Sequence, residues 1–190
     1  MTNPSDPQPD RPSIALIGYR GAGKTAVGRE LAARLGGTHG DTDDLIVERS
    51  LMTIAQIFKT EGEAGFRRRE RDALAQLVVR TPTILSVGGG AVLDDTNIER
   101  LRTVAMIVWL TAAPRVLWQR IRSDPSTGTT RPALSERSGE REVEEILVQR
   151  RPLYQRAAAL TVDTGGKTPA AVAEEILTAL GRAASHPAAG

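Results

Sequence analysis

Residues Gly18-Tyr19-Arg20-Gly21-Ala22-Gly23-Lys24-Thr25 follow the pattern G-x-x-x-x-G-K-[ST], a spacing that lets successive backbone N–H groups converge on phosphate oxygens. The segment comes directly after an apolar run, Ser13 to Ile17, and directly before a helical pattern, Lys24 to Leu35. In that setting the helix N-terminus adds the positive end of its dipole, and Lys24 can reach the β- and γ-phosphates of a nucleotide. Thr25 can offer its hydroxyl to Mg2+. A glycine-rich turn that merely caps a helix is the competing reading. Against it, Lys24, Lys59 and Lys167 are the only lysines among 25 basic residues, so a lysine at the phosphate position is informative.

Three further clusters bear on an acceptor. Asp41-Thr42-Asp43-Asp44 follows the first helix at the expected end of a second strand, where a carboxylate can accept a hydroxyl proton or hold metal-bound water. The same acids could equally cap a helix. In Phe66-Arg67-Arg68-Arg69-Glu70 the helical spacing puts Arg67 and Glu70 on one face and turns Arg68 elsewhere, although a charge run usually faces solvent. Gly88-Gly89-Gly90 has no side chains to pack, which suits close approach of backbone N–H groups to a ligand or a sharp turn.

These residues need a scaffold. Ser13–Ile17, Thr83–Val87 and Val104–Leu110 are short apolar runs that fit buried strands. Helical patterns cover Lys24–Leu35, ending at Gly36-Gly37, a stretch opened by a Thr53/Gln56 capping box, Glu63–Val79, Glu140–Tyr154 and Pro169–Leu180. The alternation predicts a single α/β domain with right-handed crossovers and a site at the carboxyl ends of its strands. That domain spans 13–180, with tails at 1–12 and 181–190 and a polar, turn-rich candidate lid at about 123–138. Cysteine is absent, the net charge is only +2, and no apolar run approaches a membrane span. These counts exclude disulfide and thiolate-metal readings and give no sign of nucleic-acid or membrane partners. The polar first dozen residues lack a signal-peptide pattern, so a cytoplasmic location is expected.

Taken in order, the segments resemble the shikimate kinase family: the phosphate loop, Asp41-x-Asp43, Gly62-Glu63 through Phe66-Arg67-x-x-Glu70, Gly88-Gly89-Gly90, Arg131-Pro132 and Arg150-x-Pro152-Leu153-Tyr154. Gluconate and nucleotide monophosphate kinases share the loop but not the suite. The resemblance implies a three-layer α/β/α fold with a central five-stranded parallel sheet of P-loop kinase type and a mobile lid. It implies ATP-dependent phosphorylation of the shikimate 3-hydroxyl, with Mg2+, by a monomer. Gly21, Ala22, Gly23, Lys24, Thr25 and Ala26 would bind ATP, with Arg120 against adenine and Arg131 on the lid. Asp43 would be the base, and Gly88, Gly89, Gly90, Arg67 and Arg150 would join it around shikimate, the two arginines on its carboxylate. Thr25 would ligate Mg2+, Asp41 would act through water, and Lys24, Asp43 and Arg131 would be catalytic.

The pattern departs from the family in places. Ala26 stands where many members have a second hydroxyl, the stretch between Arg120 and Arg131 is longer, and Arg131-Pro132-Ala133-Leu134 replaces a more usual Arg-Pro-Leu-Leu. Rival readings are a kinase for another hydroxy acid such as gluconate, or a nucleotide-binding regulator without turnover.

Overall fold

Neighbouring residues of the Ser13–Ile17 strand point to opposite faces, and both faces are covered. Ala15 and Ile17 enter one apolar cluster, Ile14 and Leu16 another. Two-sided burial of this kind is what a near-continuous apolar strand requires. The computed structural model describes residues 13–80, 83–124 and 139–184. In it β1 (Ser13–Ile17), β2 (His39–Asp41), β3 (Ile84–Ser86), β4 (Ala105–Thr111) and β5 (Leu160–Asp163) form an all-parallel sheet in the order β2-β3-β1-β4-β5. The expected five-stranded α/β/α architecture is present.

The helices are α1 (Lys24–Leu35), α2 (Thr42–Ser50), α3 (Ile54–Arg80), α4 (Asp95–Val104), α5 (Pro114–Ser123), α6 (Gly139–Ala157) and α7 (Pro169–Ala184). A short 3₁₀ turn covers Ala91–Leu93. Helix α1 has the bounds expected, because Gly23 (φ 88°) and Gly36 (φ 62°) both stand in the left-handed region at its ends. The Thr53/Gln56 capping box forms reciprocally, Thr53 N–H to Gln56 Oε1 at 2.7 Å and Gln56 N–H to Thr53 Oγ1 at 3.2 Å. Helix α3 breaks at Gly62 (φ 68°, ψ −175°), which separates the two helical stretches read from the sequence. Asp41 ends β2 and caps α2, with Asp43 and Asp44 in its first turn, so the acids both close the second strand and cap a helix. One boundary differs from expectation: α7 continues through Ala184 into the expected tail, its alanine-rich end being strongly helix-forming.

One cluster joins the sheet to α2, α3 and α4, and includes Phe66, Leu74, Leu85, Trp109 and Tyr154. The other joins it to α1, α5 and α7 through Leu31, Leu117 and Ile176. Helix α6 serves both, giving Val143 and Leu147 to the second and Tyr154 and Ala157 to the first. Fully buried residues such as Leu16 and Leu110 each contribute about 2 kcal/mol of transfer free energy, so the strand ends that carry the site rest on a firm base. Among the described residues no helix is long and apolar enough to cross a membrane.

Candidate active site

The carboxyl ends of β1, β2 and β3 each release one predicted segment, and the sheet order makes the three neighbours. After β1 comes the glycine loop, whose Gly18, Gly21 and Gly23 have φ of 142°, 79° and 88°. At Gly18 a Cβ would sit 2.3 Å from the Leu110 carbonyl oxygen, so only glycine lets the loop leave the sheet there. The Lys24 ammonium closes over the loop and donates to the carbonyls of Gly18 (2.8 Å) and Tyr19 (3.2 Å). Ala22 and Gly23 lie between, and Ala26 is an exposed position of α1.

Asp41 ends β2 and caps α2. One carboxylate oxygen accepts from the Asp43 N–H at 2.9 Å, the other from the Thr25 hydroxyl at 2.8 Å. Burial, and next the nearby Asp43 charge, push the Asp41 carboxyl up to about 6. The Thr25–Asp41 pair fits a hard cation. It offers only oxygen donors and holds a carboxylate whose charge is costly without a positive partner. Among the described residues no cluster of three or more His, Cys, Asp or Glu could hold a metal alone, so Mg2+ here would draw other ligands from phosphate and water.

The Gly88–Gly90 loop after β3 is the hub of the acceptor side. A Cβ at Gly88 would stand 2.2 Å from Glu70 Oε1 and 3.3 Å from Asp43 Oδ1. One at Gly90 would stand 2.0 Å from Arg67 Nη1. At Gly89 the same construction meets the phosphate loop, 3.1 Å from the Gly18 oxygen and 3.4 Å from Tyr19 Cα. The Gly89 carbonyl accepts from Arg150 Nη1 at 3.0 Å and from the buried Tyr154 hydroxyl at 2.6 Å. Asp43, Arg67 and Arg150 therefore all stand against one three-residue loop, which itself touches the phosphate loop.

Those side chains are anchored. Arg67 donates to buried Glu70 at 2.7 Å and to exposed Glu63 at 3.1 Å, and its guanidinium lies 5.4 Å from the Phe66 ring centroid. Arg150 lies 5.9 Å from the Tyr19 ring, and Tyr154 stacks on Trp109 at 5.5 Å. The triplet was expected to turn its N–H groups toward a ligand, but the Gly88 N–H is committed to the Thr42 hydroxyl at 2.9 Å. The absence of side chains at Gly88 and Gly90 also clears room for Glu70 and Arg67. Arg120 joins two loops, donating to the Gly21 carbonyl at 3.2 Å and to the Thr164 hydroxyl and carbonyl at 2.9 and 2.7 Å. Arg131 and most of the expected lid lie outside the described residues. Sequence reasoning gave no role to Glu70, Tyr154, Thr42 or Thr164. The signals available were the three-residue spacing of Arg67 and Glu70 and the place of Glu70 and Tyr154 in the family's segments.

A phosphate loop on a 2-3-1-4-5 parallel sheet, with a carboxylate and two anchored guanidinium groups facing it across a glycine loop, defines a P-loop kinase of a small anionic acceptor. A family model described as shikimate kinase matches residues 20–181, and the chain belongs to the shikimate kinase family. It is 40% identical over 185 residues to the shikimate kinase of Syntrophus aciditrophicus, covering 93% of this chain and 95% of that one. To that of Thiobacillus denitrificans it is 41% identical over 160 residues, 84% of this chain and 85% of that one. The solved structure of shikimate kinase from Acinetobacter baumannii in complex with shikimate aligns with TM-score 0.84 and 35% identity over 92% of this chain and 95% of the other. A gluconokinase from Sinorhizobium meliloti aligns at TM-score 0.61 with 20% identity, a likeness of fold alone. The reaction is the ATP- and Mg2+-dependent phosphorylation of shikimate, in the shikimate pathway.

Proposed function

We propose that phosphoryl transfer goes to the 3-hydroxyl of shikimate, giving shikimate 3-phosphate and ADP, with the labour divided around the Gly88–Gly90 loop. Arg67 and Arg150 bind the substrate carboxylate, Arg67 held by Glu70 and Arg150 seated on the Gly89 carbonyl. Asp43, beside Gly88, accepts or orients the proton of the attacking hydroxyl. Residues Gly21 to Ala26 bind ATP, with Lys24 exchanging its loop carbonyls for phosphate oxygens. Thr25 and, through water, Asp41 would hold Mg2+, which would supply charge neutralisation at the phosphates. Arg120 serves the adenine side, and Arg131 is assigned to the transferring phosphoryl group on sequence alone.

The observation that carries this reading is the convergence of Asp43, Arg67 and Arg150 on one loop that also touches the phosphate loop. A coupled ADP-release assay with and without shikimate tests it. ADP release that requires shikimate and is not elicited by gluconate is expected. Release with gluconate alone would overturn the acceptor assignment. We also propose a cytoplasmic monomer, and size-exclusion chromatography at working concentration checks the oligomeric state.

A further inference from the structure

Strand β2 pairs with β3 in parallel, His39 with Ile84, Gly40 with Leu85 and Asp41 with Ser86. In a parallel ladder the N–H groups of one strand take carbonyls of the next at two-residue intervals. The Ile84 N–H donates to the Thr38 carbonyl at 3.0 Å. Continuing that progression, the N–H of residue 86 is due the carbonyl of residue 40, and the N–H of residue 88 the carbonyl of residue 42. By residue 42, however, the chain has left the strand. Thr42 is the first residue of α2, so its carbonyl runs along the helix and is lost to the ladder. The Gly88 N–H takes the Thr42 side-chain hydroxyl instead, at 2.9 Å, in a site where Thr42 is 0% exposed.

That hydroxyl extends the ladder by one rung after the backbone has stopped supplying it. The rung joins two segments 46 positions apart in the sequence, and both belong to the site. Thr42 lies between Asp41, which accepts from Thr25, and Asp43. Gly88 opens the loop against which Asp43, Glu70, Arg67 and Arg150 stand. No backbone hydrogen bond can replace it at that point. Without the hydroxyl a buried N–H loses its acceptor, and the cheapest relief is movement of the glycine loop away from α2. Such movement changes the separation of Asp43 from the acceptor side.

We infer that Thr42 is a positioning residue for the phosphoryl transfer: its buried hydroxyl, by holding the Gly88 amide, sets the Asp43 carboxylate against the acceptor loop. The inference rests on the reading of Asp43 as the group that handles the acceptor proton. It predicts a larger effect on the acceptor side than on the nucleotide side, where Lys24 and Gly21 are held by contacts of their own.

Steady-state kinetics of Thr42→Val, Thr42→Ser and Asp43→Asn test it together. Thr42→Val keeps the shape of the side chain and loses the hydroxyl, and kcat/KM for shikimate should fall about tenfold or more while KM for ATP stays within twofold. Thr42→Ser keeps the hydroxyl and loses a methyl, and should stay within about threefold of the parent. A purely packing role would reverse that order, with Ser the worse variant. If Thr42→Val does not give folded protein, Thr42→Ala replaces it and the same split is expected. Full turnover in the hydroxyl-free variant, equal losses for both substrates, or a Ser variant as weak as Val would each overturn the inference. Asp43→Asn separates the two readings: an active Asp43→Asn enzyme sinks the role of Asp43 itself, whereas an inactive one beside a normal Thr42→Val sinks only the positioning role.

Discussion

If Arg67 binds the acceptor as proposed, it carries two burdens that one pair of substitutions can separate. Its guanidinium neutralises Glu70, whose side chain is 1% exposed, through a 2.7 Å contact, while Arg67 itself is 19% exposed. Its second partner, Glu63, is 66% exposed and adds little. Arg67→Ala therefore leaves a buried carboxylate without its cation. Removing one member of such a pair typically costs 3–5 kcal/mol, and because water can enter where the partly exposed guanidinium stood, about 3 kcal/mol is expected. The binding burden is independent. Loss of a charge-assisted hydrogen-bonding partner for the shikimate carboxylate is worth about 1.5–3 kcal/mol, or roughly 10- to 150-fold in KM. The double variant Arg67→Ala/Glu70→Gln removes the stranded charge and should recover most of the stability and none of the affinity. Urea unfolding reads the first quantity and initial rates at saturating ATP the second. If the double variant regains a normal shikimate KM, or if Glu70→Gln gives no recovery of stability, the two-burden reasoning is wrong.

Asp43→Asn should abolish turnover while leaving ATP binding nearly intact, as measured by isothermal titration with a non-hydrolysable nucleotide. Lys24→Ala should lower the phosphoryl-transfer rate in single-turnover experiments, since the ammonium that caps the loop would no longer be there to meet the phosphates. Arg120→Ala should raise KM for ATP without moving KM for shikimate, because its contacts, Gly21 and Thr164, lie on the nucleotide side; equal changes in both would refute that placement. Asp41 gives a pH signature. Its folded carboxyl, pushed up to about 6, holds a proton that an unfolded aspartate gives up near 3.8, so the ligand-free protein loses stability as pH rises through that window. The loss is about 3 kcal/mol at most. Asp41→Asn keeps a competent helix cap and should flatten the slope; an unchanged slope would place the titration elsewhere.

The phosphate loop and α1 were legible to the residue because glycine, at both ends of the helix, encodes its bounds locally. The Thr53/Gln56 box was legible for the same reason, a reciprocal contact over three positions. What escaped was short or long-range. Strand β2 is three residues long and contains a glycine, too little for periodicity, so the acids at its end fit either the close of a strand or the cap of a helix, and they do both. Strand β5, Leu160–Asp163, lies at the edge of the sheet and alternates with polar residues, and α4 and α5 are polar over most of their surface. The partners of the glycine triplet escaped because nothing local links residue 88 to 42 or 89 to 154.

The triplet shows why type and spacing identify a site more readily than they assign roles. Three glycines announce that something approaches closely, and ligand-directed amides are the usual inference. Here the space at Gly88 and Gly90 is filled from within, by Glu70 and Arg67, and the Gly88 amide is tied to Thr42. Gly89 remains the point of contact with the phosphate loop, through Gly18 and Tyr19, while its carbonyl receives Arg150 and Tyr154. Side chains at these positions would push the guanidinium of Arg67 and the carboxylate of Glu70 off the loop. The glycines thus let the charges of Arg67 and Glu70 and the phosphate loop meet at neighbouring strand ends, the closeness that in-line transfer between two small molecules requires.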